Sequence, residues 1–144
     1  RDEMFDRVSY ITVAPDAMEA FGGGAKYLGT SSIERKLRYL VELRVSQING
    51  CAYCIDLHSK QLRKEGETDR RIDCLSVWDE VQFYTDREKA ALEWAEAVTR
   101  IEGTRVPDEV YERVSTHFGE KELVDLTLAV ANMNFWNRIA ISFR

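Results

Sequence analysis

Residues 48–58 read INGCAYCIDLH, which places Cys51, Cys54 and His58 within eight positions of a chain that has only three cysteines and two histidines. Thiolates are nucleophiles and metal ligands, and an imidazole can carry a proton or a metal at neutral pH. On a helix, residues three and four apart share a face, so the spacing predicts that the three side chains are neighbours. Cysteines three apart on a helix also have Cα atoms within the roughly 4.4–6.8 Å that a disulfide tolerates.

Four chemistries fit such a cluster in principle. Haem attachment requires His directly after the second cysteine, and Ile55 stands there. Zinc needs four ligands, and the cluster supplies three. Cys74, His117 or a carboxylate would have to complete the site, because no second C-x-x-C or His-pair half-motif exists. A purely structural disulfide belongs to an oxidising compartment, of which an odd cysteine count gives no sign. A redox dithiol is the expectation that remains, with a non-catalytic zinc-binding or packing module as its rival.

Spacing leaves open which sulfur is the nucleophile. A helix amino end, expected to be capped by Asn49, favours a thiolate at Cys51, whereas an imidazole one turn on favours Cys54. Glu42 is similarly two-sided. It is either a solvated flank residue or a buried carboxylate paired with His58, orienting the ring and holding a proton.

The elements that must position these residues are helices. From Ile33, the positions Leu37, Leu40, Val41, Val45 and Ile48 fall three and four apart and predict one buried stripe. Asn49-Gly50 interrupts it, and a second helix is expected from Cys51 to Lys64, ending before Gly66. Pro15 suits the start of a short helix, and the Gly-rich stretch 21–32 reads as a weak helix end or a loop. A phosphate cradle is excluded there because the Gly-Lys-Ser/Thr element is missing.

Thr85 and Glu88 predict a capping box ahead of a stripe formed by Ala91, Trp94, Ala95, Val98 and Ile101. Pro107 opens another helix, with Val110, Tyr111, Val114 and Phe118 facing inward and Gly119 as its stop. The last segment, EKELVDLTLAVANMNFWNRIAISFR, is apolar on nearly every side, which suits a central helix or one shared with another subunit. No strand is expected, so the fold class is all-α.

At 144 residues, with 44% hydrophobic and 31% charged residues, the chain is expected to form a single domain over residues 1–144 with a packed core. A net charge of -5 without a basic cluster argues against nucleic acid or an anionic membrane as partner. No apolar run approaches the roughly 18–20 residues that span a bilayer. The charged amino end is unlike a secretion signal, so a cytoplasmic protein is expected.

Cys74 is expected to be a small buried hydrophobe and His117 a capping or packing residue. Trp78, Trp94 and Trp136 are expected to anchor the core or a subunit interface. Arg138 is a candidate partner for Asp125.

The stretch ELRVSQINGCAYCIDLHSKQLRKEGET resembles the core of the carboxymuconolactone decarboxylase superfamily, and most closely its alkylhydroperoxidase D (AhpD)-like branch, whose signature is a Glu upstream of C-x-x-C-x-x-x-H. YTDREKAALEWAEAVT and HFGEKELVDLTLAVANMNFWNRIAI, with Asn134, Trp136, Asn137 and Arg138, extend the likeness over nearly the whole chain. The resemblance implies an AhpD-like helical domain that oligomerises through its helices, commonly as trimers or hexamers. It implies a thiol-dependent peroxidase in which Cys54 attacks a hydroperoxide, Cys51 resolves the sulfenic acid, and His58 and Glu42 relay protons. The implied partners are the hydroperoxide and an external dithiol or lipoyl-bearing reductant protein; neither organic cofactor nor metal is implied.

This sequence has Tyr53 where the well-studied peroxidase has an additional His, and Glu42 lies nearer Cys51 than that enzyme's Glu does. The decarboxylase branch generally lacks the cysteine pair, so its lactone chemistry is the minor alternative.

Overall fold

A computed structural model describes residues 7–144; the charged amino end, residues 1–6, lies outside the described part. Three short helices come first: α1 (Tyr10–Val13), α2 (Pro15–Phe21) and α3 (Gly23–Leu28). Then follow α4 (Arg35–Asn49), α5 (Ala52–Lys64), α6 (Asp69–Asp73), a 3₁₀ turn at Leu75–Glu80 and α7 (Asp86–Thr99). The chain closes with α8 (Ile101–Thr104), α9 (Asp108–Ser115) and the long α10 (Glu120–Ser142). Among the described residues there is no strand, and the fold is all-α.

α4 is the hub, packing against α5, α7 and α10. Its apolar positions surround it on both sides. Val41 and Val45 join Ala91, Trp94, Leu126 and Val130 in one cluster, while Leu40 and Leu43 join Leu62, Leu75, Trp78 and Leu92 in another. Burying each of these leucines contributes roughly 1.5–3 kcal/mol, which makes α4 the element the rest condense around. α10 buries Leu123, Leu126, Ala129, Val130, Met133, Asn137 and Ala140, with Asp125 covered beside them, so a broad face of the helix is packed against the core.

Several expectations hold at the level of single residues. Thr85 and Glu88 form the capping box of α7. Gly50 ends α4 in a left-handed conformation, φ 72°, which a side-chain-bearing residue would adopt only with strain.

Others are corrected. The Gly-rich stretch is helical as far as Leu28. Ile101 and Tyr111, expected inside, are 53% and 54% exposed, because α8 turns away after Arg100 and α9 meets the body mainly through Val114. Cys74 is only half-buried, and His117 lies exposed just past the end of α9, a place open to capping but not to packing, where its carbonyl accepts from Arg87. Arg138 bonds Asn134 rather than Asp125, which is instead held by Tyr27, Ser32 and Lys121. Trp78 and Trp94 are buried, each with a hydrogen bond from its indole N–H, to Glu96 and Thr127.

Candidate functional site

The turn between α4 and α5 assembles the thiol pair. Cys51, not Asn49, is the cap of α5: its backbone is extended, and its Sγ accepts from the Cys54 N–H at 3.4 Å. Asn49 is drawn away into the core, where its amide donates to Asn134 Oδ1 and Asn137 Oδ1, each at 3.0 Å. That bond ties the end of α4 to α10 and fixes the turn from which Cys51 projects.

Cys51 and Cys54 are joined as a disulfide, with Cα atoms 5.3 Å apart. Both are buried, at 1% and 4% exposure, so a reagent can reach either sulfur only through a cavity.

Such a cavity, about 440 Å³, is bordered by Cys54, His58, Glu42 and Arg38. Its remaining walls are largely apolar, with Leu57, Met133 and Trp136 among them. One turn of α5 carries His58 to the face that holds Cys54, as the spacing predicts. The structure thus brings three of the four candidate residues, Glu42, Cys54 and His58, to one cavity, while Cys51 sits behind Cys54.

Glu42 is 4% exposed, which decides between its two readings in favour of burial. Its Oε1 accepts from Arg38 at 2.8 Å, and its Oε2 lies 3.3 Å from His58 Nδ1. Burial pushes the Glu42 carboxyl up to about 7, although the Arg38 guanidinium, by its charge and its hydrogen bond, works in the opposite direction. A carboxyl in that range exchanges a proton near neutrality, where an exposed glutamate would be ionised throughout.

His58 is also buried. Loss of hydration lowers its affinity for a proton, a hydrogen bond with Gln61 raises it, and the nearby charge of Arg38 lowers it again; the outcome is a shift downward. Nδ1 faces Gln61 Oε1 at 2.7 Å as well as Glu42. The Gln61 carbonyl and an ionised Glu42 both favour the tautomer with the proton on Nδ1, which leaves Nε2 as the basic nitrogen.

Arg38 and Gln61 were not singled out in the sequence, yet each had a signal. Arg38 stands four residues before Glu42, and Gln61 three after His58, the spacings at which helical side chains meet. Trp136 is one wall of the cavity. Cys74 and His117 lie on other elements. Among the described residues, no group of three or more His, Cys, Asp or Glu side chains is arranged to hold a metal ion.

Known proteins share this architecture. The chain is 50% identical to the uncharacterized protein YdfG of Bacillus subtilis over 139 residues, which cover 96% of this chain and 95% of that one. A crystal structure from Agrobacterium tumefaciens, of a protein described as a putative antioxidant defence protein AhpD, superposes with a TM-score of 0.94 at 40% identity, covering 96% of this chain and 94% of that one. An AhpD-core, peroxidase-related protein from Ralstonia eutropha shares the fold at a TM-score of 0.81 and 22% identity, covering 93% of this chain and 73% of that one. The profile of the carboxymuconolactone decarboxylase family matches residues 13–97. With that match and a half-identical relative spanning nearly its full length, this chain belongs to the carboxymuconolactone decarboxylase family and has its AhpD-like fold.

Proposed function

We propose that the protein is a thiol-dependent peroxidase that reduces hydroperoxides through Cys51 and Cys54. The observation that carries this reading is a joined cysteine pair of which one member, Cys54, borders the same apolar-walled cavity as a buried His58–Glu42 pair. In the reduced protein the Cys54 thiolate attacks the outer oxygen of a hydroperoxide. His58 has by then taken the proton of the Cys54 thiol on Nε2; the O–O bond breaks, Cys54 becomes a sulfenic acid, and the departing alkoxide takes that proton from His58, with Glu42 holding the ring through Nδ1. Cys51 is suited to the second step, because the α5 cap bond from the Cys54 N–H stabilises its thiolate. Its sulfur attacks Cys54, hydroxide leaves and is protonated to water, and the disulfide forms. An external dithiol then reopens it. No organic cofactor enters this cycle.

A reducing, cytoplasmic setting suits a pair that must be reopened; no helix among the described residues is long and apolar enough to cross a membrane. The reading includes a homo-oligomer, for which the outer face of α10, with Val124 and Leu128 exposed, is the candidate surface.

The test is peroxide consumption by the purified protein with cumene hydroperoxide and a small dithiol. Cys54→Ser abolishes turnover, and Cys51→Ser permits one oxidation and accumulates a sulfenic acid that a dimedone-type probe captures. Equal residual turnover in the two variants sinks the assignment of roles. Stoichiometric zinc, with thiols indifferent to peroxide, sinks the reading itself.

A further inference from the structure

The two cysteines border different cavities. Cys54, without Cys51, borders the space that holds His58, Glu42 and Arg38. Cys51, without Cys54, borders a second space of about 320 Å³, between Gly50 and Ala52 on one side and Ile141 and Arg144 at the end of α10 on the other. Tyr53 and Ala140 border both. Neither the family relationship nor the proposed peroxidase step gives the second cavity a task.

Thiol–disulfide exchange supplies one. A thiolate attacks a disulfide sulfur in line with the S–S bond, from the side away from the sulfur that leaves. With both cysteines buried, the cavity a reagent occupies determines which sulfur it meets. We propose that the disulfide is worked from two faces: the oxidant reaches Cys54 through the first cavity, and an aliphatic dithiol reaches Cys51 through the second. This rests on the peroxidase reading for the oxidant, but the entry of the dithiol is a separate claim about reduction.

The step balances. One thiolate of the dithiol bonds to Cys51 Sγ, the Cys51–Cys54 bond breaks, and its electron pair leaves on Cys54 Sγ. The second thiol of the reagent, once deprotonated, attacks the reagent's own sulfur and releases Cys51, which takes up a proton. The dithiol is oxidised to a disulfide by two electrons, and the protein pair is reduced by two. Attack at Cys51 therefore releases charge on Cys54, the sulfur that shares its cavity with the Arg38 guanidinium and His58. Reduction thus returns the thiolate to the site that needs it for the next peroxide. The walls of the second cavity, apolar apart from Arg144 and the tyrosine hydroxyl, suit a hydrocarbon dithiol more than a polar monothiol.

The experiment separates the faces by filling each one. Ile141→Trp narrows the second cavity alone, and Ala52→Phe does the same from an exposed first-turn position where folding is not at stake. Leu57→Trp, on an exposed position of α5, narrows the first alone. Each chain is oxidised with diamide, which makes the disulfide without peroxide, and reduction by dithiothreitol is followed by rapid acid quench and thiol labelling. Oxidation of each reduced chain by cumene hydroperoxide is timed separately.

Ile141→Trp and Ala52→Phe are expected to slow reduction by about tenfold or more and leave oxidation unchanged, while Leu57→Trp does the reverse. Reduction slowed by Leu57→Trp, or unaffected by both second-cavity variants, overturns two-faced access. Failure of peroxide to oxidise any chain would count against the peroxidase reading while the reduction rates still decide the route.

Discussion

Among the described residues three carboxylates are buried, Glu42, Glu67 and Asp125, and the first and last of them behave in opposite ways. Glu42 on α4 is 4% exposed and its proton affinity is pushed up to about 7; Asp125 on α10 is fully buried and its affinity is driven well below the ordinary carboxylate range. Burial raises both. The difference lies in the donors.

Asp125 receives the Ser32 hydroxyl at 2.6 Å, the Tyr27 hydroxyl at 2.6 Å, the Ser32 N–H at 2.9 Å and the Lys121 ammonium at 3.0 Å, and together these outweigh its lost hydration. Glu42 has one strong donor, Arg38, and an imidazole at 3.3 Å that is itself reluctant to be charged. A saturated carboxylate is a fixed anion that pins the segment after α3 to α10. An under-supplied one beside a reactive sulfur is a proton store.

The largest expected effect breaks the Glu42 side. Glu42→Gln keeps the shape and removes the exchangeable proton, so the rate of peroxide reduction should fall by about 10²–10⁴-fold, the range of general acid–base effects. The inflection near neutrality should disappear from the pH–rate profile. A profile unchanged in both height and shape would leave Glu42 a packing residue.

Asp125→Ala breaks the other side. It removes the acceptor of four donors, which are exposed enough for water to take up, and a cost of about 2–3 kcal/mol is expected in urea denaturation, with peroxide reduction per folded molecule little changed. A stability loss under 1 kcal/mol would show that the cluster is decoration.

The two acids also have opposite pH signatures. Glu42 binds its proton more tightly folded than unfolded, so its contribution to stability is complete below its unfolded value of 4.5 and is lost as pH rises through about 7. That shift corresponds to about 3 kcal/mol across the window. Asp125 has the contrary sign: its contribution is present above its unfolded value of 3.8 and is lost as pH falls through its lower folded value. Denaturation between pH 4.5 and 8 should therefore show Glu42→Gln gaining on the parent as pH rises. A constant gap would mean that Glu42 is ionised throughout.

The smallest effect sharpens the comparison. Tyr27→Phe removes one of the donors to Asp125 and should cost about 2 kcal/mol, the range for a hydrogen bond to a charged group. A hydroxyl that also meets Lys121 and costs nothing on removal would show that the ammonium alone suffices.

The sequence made the local relationships legible. The all-α class follows from three-and-four periodicity, and Cys54 and His58 do share a face of α5. The capping box at Thr85 formed as written, because its bonds lie within one turn.

The misreadings share a cause. Asn49 was expected to cap α5 but is claimed by Asn134 and Asn137, residues 85 and 88 positions away, leaving the cap to Cys51 itself. Ile101 and Tyr111 fit their stripes and are still exposed, since periodicity gives the face of a helix but not whether another element covers it.

The sequence by itself determined which side chains could meet along one helix: the two cysteines, the histidine after them, and Arg38 four before Glu42. Only the tertiary structure decided their chemistry. The proton affinity of Glu42 and the separate cavities beside Cys51 and Cys54 depend on how far α4, α5 and α10 exclude water from each atom. Hydration is lost to neighbours distant in the chain, and no local spacing encodes it.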